Sequence, residues 1–132
     1  MEQAEVRKSL TVAAVPVQVR AARMFVAGAA RAHPRVYEAV LLAGEVVSNS
    51  VRHSGSAVPG GVVTVSVTVT RTCLRVEVTD RAGDGSPALG AAVSPGDAES
   101  GRGLRLVDAL AARWGYERGG GLATTWFVLR HG

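Results

Sequence analysis

Glu45 and Asn49 stand four residues apart in a stretch, 36–53, where Val36, Val40, Ala43, Val47 and Val51 recur at the helical period. Four residues is about one turn, so the carboxylate and the amide project to the same side. Oxygens of these two kinds are what a magnesium ion accepts, together with waters and phosphate oxygens. Glu38 and Arg52 continue the stripe on either side. The same stripe is also what the solvent side of an amphipathic helix looks like, because buried charge is rare. Against that, Leu41, Leu42 and Val46 carry the apolar surface around most of the helix. A helix of that kind belongs inside a domain, where a polar side chain costs stability unless something bonds to it.

Two other clusters offer complementary chemistry. Asp80 ends an alternating run and leads into Gly83, Asp84 and Gly85. A carboxylate fixed at the end of a strand can accept a hydrogen bond from an exocyclic amine such as that of adenine, a charged bond contributing about 1.5–3 kcal/mol. Glycines beside it let the backbone approach a flat ring, although an ordinary strand-ending turn has the same composition. A calcium loop is excluded, since no acid falls where the closing bidentate ligand belongs. Gly101, Arg102, Gly103 and Leu104 open a helical pattern, and the free amides of a helix start suit phosphate oxygens. A flexible joint before a helix would use the same residues. This is not a dinucleotide fingerprint, because Leu106 stands where a glycine is needed.

The elements that must position these groups follow from the patterning. Residues 9–15 alternate as a short strand ended by Pro16, and a helix runs from 17 to about 32, closing at His33-Pro34. The 36–53 helix ends at Gly55, and 56–61 form a turn. Residues 62–70 and 74–80 alternate strictly and read as a hairpin closed at Arg71-Thr72. Residues 81–100 hold Gly83, Gly85, Pro87, Gly90, Pro95 and Gly96 without a period, and loops of this length are commonly functional, often as lids. A helix from 101 to about 113 and strands at 114–117 and 124–129, joined through Gly119-Gly120-Gly121, complete the chain. About five strands and three helices make a layered α+β domain, with helices on one face of a mostly antiparallel sheet.

A length of 132 residues is that of one domain. The apolar runs are too short and too interrupted to span a bilayer, and the N-terminal residues lack a secretion signal, so a cytoplasmic protein without a membrane partner is expected. Cys73, the one cysteine, lies in a strand-like run and is expected to be buried; His33, His53 and His131 do not pair with it at zinc-ligand spacing. The net charge is +4, but the basic residues are dispersed and not interleaved with aromatics, so no direct nucleic-acid partner is expected. Lys8 is the sole lysine and suits neither a P-loop nor the early-strand lysine of a eukaryotic-type protein kinase.

The order of the motifs adds what none carries alone. Glu45 to His53, Val78-Thr79-Asp80, Glu99 to Leu104 and Thr124-Thr125-Trp126 resemble the GHKL superfamily of ATP-binding domains, and within it the small stand-alone anti-sigma factor serine/threonine kinases. The resemblance covers residues 9–129. It implies a Bergerat-type two-layer α/β sandwich forming one ATP-binding domain over 1–132, with a lid at about 86–100. Asn49 would hold Mg2+, Asp80 the adenine amine, and Thr124 would support Asp80. Gly83 and Gly85 would shape the base pocket, and Gly101, Arg102, Gly103 and Leu104 would meet the phosphates. Arg52 would reach a phosphate or stay at the surface. Glu45 would be the general base that orients the attacking hydroxyl of a protein substrate.

The function so implied is phosphorylation of an anti-sigma-factor antagonist and sequestration of a sigma factor, with homodimer formation as a further expectation. The alternative is a regulator that binds ATP and switches partners without phosphotransfer. Ala82 keeps that alternative open, because the family motif commonly has glycine two residues after the aspartate.

Overall fold

In a computed structural model of the chain, which describes residues 5–53, 60–81 and 105–131, the elements are β1 (Val6–Ala13), α1 (Val19–Ala29), α2 (Val36–His53), β2 (Val62–Val69) and β3 (Cys73–Arg81). They are followed by α3 (105–110), β4 (Arg113–Gly119) and β5 (Leu122–Arg130). The five strands form one sheet in the order β1-β2-β3-β5-β4, and every pairing is antiparallel. The α+β architecture expected from patterning is present, with α1 and α2 packed on the sheet.

The register explains which side chains meet the helices. Val63, Val65 and Val67 of β2, Leu74, Val76 and Val78 of β3, and Phe127 and Leu129 of β5 are buried on one face. They pack with Ala22 and Val26 of α1 and with Leu42, Ala43, Val46, Val47 and Val51 of α2. A fully buried Val, Leu or Phe contributes about 1.5–3 kcal/mol, so this layer supplies most of the cohesion. The opposite face is polar and laced with hydroxyl pairs, Ser9 with Ser66, Thr11 with Thr64 and Thr79 with Thr124. There the Arg75 guanidinium lies 4.4 Å from the centroid of a Trp126 ring. Cys73 is on this face and half-buried, so it is not the core residue expected from its apolar neighbours.

Boundaries differ from the patterning in instructive ways. β1 starts at Val6, because Val6, Arg7 and Lys8 pair with Val69, Thr68 and Val67 even though two of them are charged. Charged side chains suit an edge strand. The β4–β5 hairpin reaches Gly119 and Leu122, with Gly120 and Gly121 between them at φ 62 and 80. Two successive positive-φ residues make the type I′ turn that matches strand twist. Gly55, residues 56–59 of the expected turn, the loop 82–100 and the expected helix start at 101–104 lie outside the described residues.

The start of α2 is fastened by two side chains. His33 is buried and its Nδ1 accepts the Arg35 backbone N–H at 3.0 Å. Arg35 donates from Nε to Glu38 at 2.9 Å, from Nη1 to the Arg130 carbonyl at 2.9 Å and from Nη2 to the Leu110 carbonyl at 3.2 Å. One guanidinium therefore ties α2 to the ends of α3 and β5.

Burial first, then the charges of His131 and Arg35, holds the His33 pKa below the ordinary value of 6.5. The unfolded chain then binds a proton before the folded one does, so this contribution is complete above about pH 6.5 and is lost as pH falls toward the lowered folded value. Urea unfolding should show stability declining on acidification through this window. His33→Asn, which keeps an acceptor but cannot titrate, should flatten that part of the profile; an unchanged profile would contradict the assignment.

Candidate functional site

α2 carries the polar stripe into the core side of the molecule. Asn49 is only 4% exposed, and neither Oδ1 nor Nδ2 has a hydrogen-bond partner among the described residues. Glu45, one turn earlier, is half-buried and makes no hydrogen bond or ion pair among the described residues. Glu38, by contrast, is engaged by Arg35. The solvent-side reading of the stripe therefore fails at Asn49. Arg52 is exposed in the last turn of α2, where a cation suits the helix dipole.

α2 packs against β3, and Asp80 sits near the end of that strand on the helix-facing side, 6% exposed. Strand alternation puts it in line with Leu74, Val76 and Val78. Asp80 lines a cavity of about 230 Å³ at the end of the sheet, together with Gly60, Gly61 and Thr79. Arg52 lines a neighbouring one of about 610 Å³ formed with the end of β1, and the two share Gly60, Gly61 and Val62.

The sheet register corrects one assignment. Thr124 pairs directly with Thr79, and their hydroxyls are 2.9 Å apart on the outer face, opposite to Asp80. Thr124 is thus not placed to support Asp80. Thr125 is the threonine on Asp80's face: it pairs with Val78, is buried, and lies diagonally across from Asp80, which itself pairs with Ala123. Two adjacent threonines are indistinguishable until the register is known, because a slip of one residue exchanges the faces of a strand. Gly83, Gly85, Gly101, Arg102, Gly103 and Leu104 lie outside the described residues, as does Ala82.

The donor set fits a hard cation. A buried amide oxygen and a carboxylate one turn away, neither with a partner among the described residues, are groups that an oxygen-seeking ion or its waters would satisfy. Among the described residues no cluster of three or more His, Cys, Asp or Glu side chains could hold a metal alone. A cation here would need ligands beyond these side chains, and magnesium ordinarily completes its shell with waters and phosphate oxygens.

The model for the family described as histidine kinase-like ATPase domain matches residues 12–129. No curated protein matches the chain. Among solved structures, the crystal structure of the RsbU and RsbW domains of Rv1364c from Mycobacterium tuberculosis is similar over 93% of this chain, with a TM-score of 0.58 and 19% identity. The aligned region is 32% of that chain, so the protein described here spans about a third of its length. No helix among the described residues is long and apolar enough to cross a membrane.

An unpartnered buried amide leaves a stability signature of its own. Asn49→Leu, close in shape and free of polar atoms, should raise the unfolding free energy of the ligand-free protein by about 1–2 kcal/mol in urea titrations. A loss of stability by a similar amount would mean that the amide is satisfied.

Proposed function

The chain belongs to the histidine kinase-like ATPase domain family, and on that premise we propose that it is an ATP-dependent serine/threonine protein kinase of the anti-sigma regulatory type. The observation that carries the proposal is the pair on α2: Asn49, buried, and Glu45, half-buried one turn before it, neither side chain with a hydrogen-bond partner among the described residues. The family fold supplies ATP as the ligand, and the pair gives this chain the side chains for phosphoryl transfer. The RsbW domain in the similar structure supports the anti-sigma type of kinase.

In this reading Asn49 Oδ1 would hold Mg2+, and the ion would neutralise charge on the nucleotide phosphates. Asp80 accepts the adenine amine, and burial fixes its carboxylate so that little ordering remains to be done on binding. Thr125, on the same face, takes the supporting role beside Asp80. Gly83 and Gly85 would shape the base pocket, and Gly101, Arg102, Gly103, Leu104 and a lid at 86–100 would meet the phosphates, with Arg52 as a further candidate contact from the end of α2. Glu45 accepts the proton of the attacking hydroxyl on the protein substrate, and its half-buried position beside the Asn49 site orients that hydroxyl. In phosphoryl transfer, positioning and charge stabilisation account for most of the rate. The protein substrate is an anti-sigma-factor antagonist, and the unphosphorylated antagonist competes with a sigma factor for this domain.

Glu45→Ala should lower phosphotransfer to an antagonist serine by about 100-fold or more, as removal of a general base does, while ATP affinity stays within a few-fold. The readout is incorporation of about 80 Da on the co-incubated antagonist, followed by mass spectrometry. Undiminished transfer by the variant would sink the role of Glu45. Tight ATP binding by the wild-type chain with no transfer to any antagonist would instead favour the non-catalytic partner-switching regulator.

Thr125→Val should weaken ATP binding by about tenfold, the loss of one neutral hydrogen bond in a buried site, whereas Thr124→Val should leave it unchanged. Calorimetric titration of both variants distinguishes the faces. The reverse pattern would restore Thr124 to the site.

A further inference from the structure

The side of the helical layer that faces away from the sheet carries a groove of about 600 Å³ between α1 and α2, and nothing in the nucleotide reading uses it. Arg23, Ala27 and Arg31 line one wall, and Tyr37, Val40 and Leu41 line the other. Tyr37 is 85% exposed and Leu41 43%, and Met24 on the adjoining surface of α1 is 63% exposed. Tyr37 and Leu41 are one turn apart on α2, on the stripe where a buried helix normally places charge. They lie about three to two turns before Asn49, so the groove is separated along α2 from the proposed metal-binding position.

The electrostatics of the groove are one-sided. From Val6 to Tyr37 the chain contains Arg7, Lys8, Arg20, Arg23, Arg31 and Arg35 and no Asp or Glu. Of these, Arg20 projects from α1 and is exposed, while Arg31 lies in the groove just beyond its end. Arg35 is already committed to Glu38 and two carbonyls. Arg23 is held in place by an unusual contact: its guanidinium occupies the space where a side chain on Gly44 would stand. A glycine inside a helix costs about 0.5–1 kcal/mol relative to alanine, and here its absent Cβ leaves room for the arginine against α2. The Arg23 guanidinium has no hydrogen-bond or ion-pair partner among the described residues. A partly buried cation without an acceptor among these residues gains a charged hydrogen bond when an anion reaches it.

We propose that this groove docks an amphipathic helical segment of a partner protein, with apolar residues seated against Tyr37, Leu41 and Met24 and carboxylates meeting Arg20, Arg23 and Arg31. A trough between two helices accepts a third helix by ridge-and-groove packing. From Arg20 to Arg31 the wall runs about 16 Å, enough for about three turns. Charge selects the occupant. A second copy of this chain in a symmetric contact would bring the same arginines together, and like charges juxtaposed disfavour association. The proposal does not depend on ATP binding or phosphotransfer, and it holds or fails separately from them.

The test is fluorescence anisotropy with a labelled helical peptide of about 18 residues, Leu at i, i+3, i+4 and i+7 and Glu on the flanks, against the same peptide with every Glu changed to Lys. The acidic peptide should bind in the micromolar range and the basic one at least about tenfold more weakly. Arg31→Glu and Tyr37→Ala, both at exposed positions, should each weaken binding about tenfold or more. Arg71→Glu, an equal charge change in the β2–β3 turn, should leave binding within about twofold. The proposal is overturned by absence of binding at about 0.5 mM protein, by an equal loss in Arg71→Glu, or by indifference to Tyr37→Ala. It is also overturned if sedimentation shows self-association that Tyr37→Ala abolishes, or if phosphatidylserine vesicles bind the wild type and not Arg31→Glu while the peptide does not bind.

Discussion

Burial of α2 against the centre of the sheet is the constraint on which the rest of the molecule depends. β2 and β3 present an unbroken row of Val and Leu, and α2 answers with Leu42, Ala43, Val46 and Val47 at zero to 3% exposure. Small residues at Ala39, Ala43 and Gly44 let the helix approach both the sheet and α1. Placing Asn49 in the same helix introduces two polar atoms without a partner among the described residues into a mostly apolar layer. Such a defect costs about 1–3 kcal/mol and persists where it serves a site. The apolar packing that fixes α2 also fixes the backbone that carries Glu45 and Asn49 on one side of the helix.

Rigidity at the helix start has a different origin. Arg35 reaches Glu38 and the carbonyl ends of α3 and β5, and His33 accepts the Arg35 amide, so hydrogen bonds fasten the loop between α1 and α2 beside the core contact of Ala30. The two halves of α2 are thus anchored by different means, Arg35 at one end and the Val layer along the middle. Charged hydrogen bonds of this type contribute about 1.5–3 kcal/mol each when well sheltered, and less where solvent competes.

Much of the fold was legible in the residues because its periodicities are strong. The strict alternation of 62–70 and 74–80, the tight Arg71-Thr72 connection and the helical recurrence from Val36 to Val51 each correspond to an observed element. The α2 pair was legible for the same reason, since spacing alone fixes two residues on one helix face. Pairings between strands distant in sequence were not legible. β3 and β5 are not joined by a hairpin, so nothing local sets their register, and Thr124 could not be told from Thr125. Arg23 over Gly44 was equally hidden, although a glycine in the middle of an otherwise apolar helix is a signal that something passes close to the backbone. Charged residues at Arg7 and Lys8 hid the first half of β1, because an edge strand tolerates side chains that patterning counts as loop.

The central claim is that the polar defect on α2 is a binding site for the magnesium complex of ATP. Calorimetric titration with ATP, with and without Mg2+, on the wild type and on Asn49→Ala addresses it most directly. The account predicts magnesium-dependent binding to the wild type and a loss of about tenfold or more in the variant, which removes the oxygen offered to the cation. Binding of equal strength in the two proteins, or binding indifferent to magnesium, would contradict it.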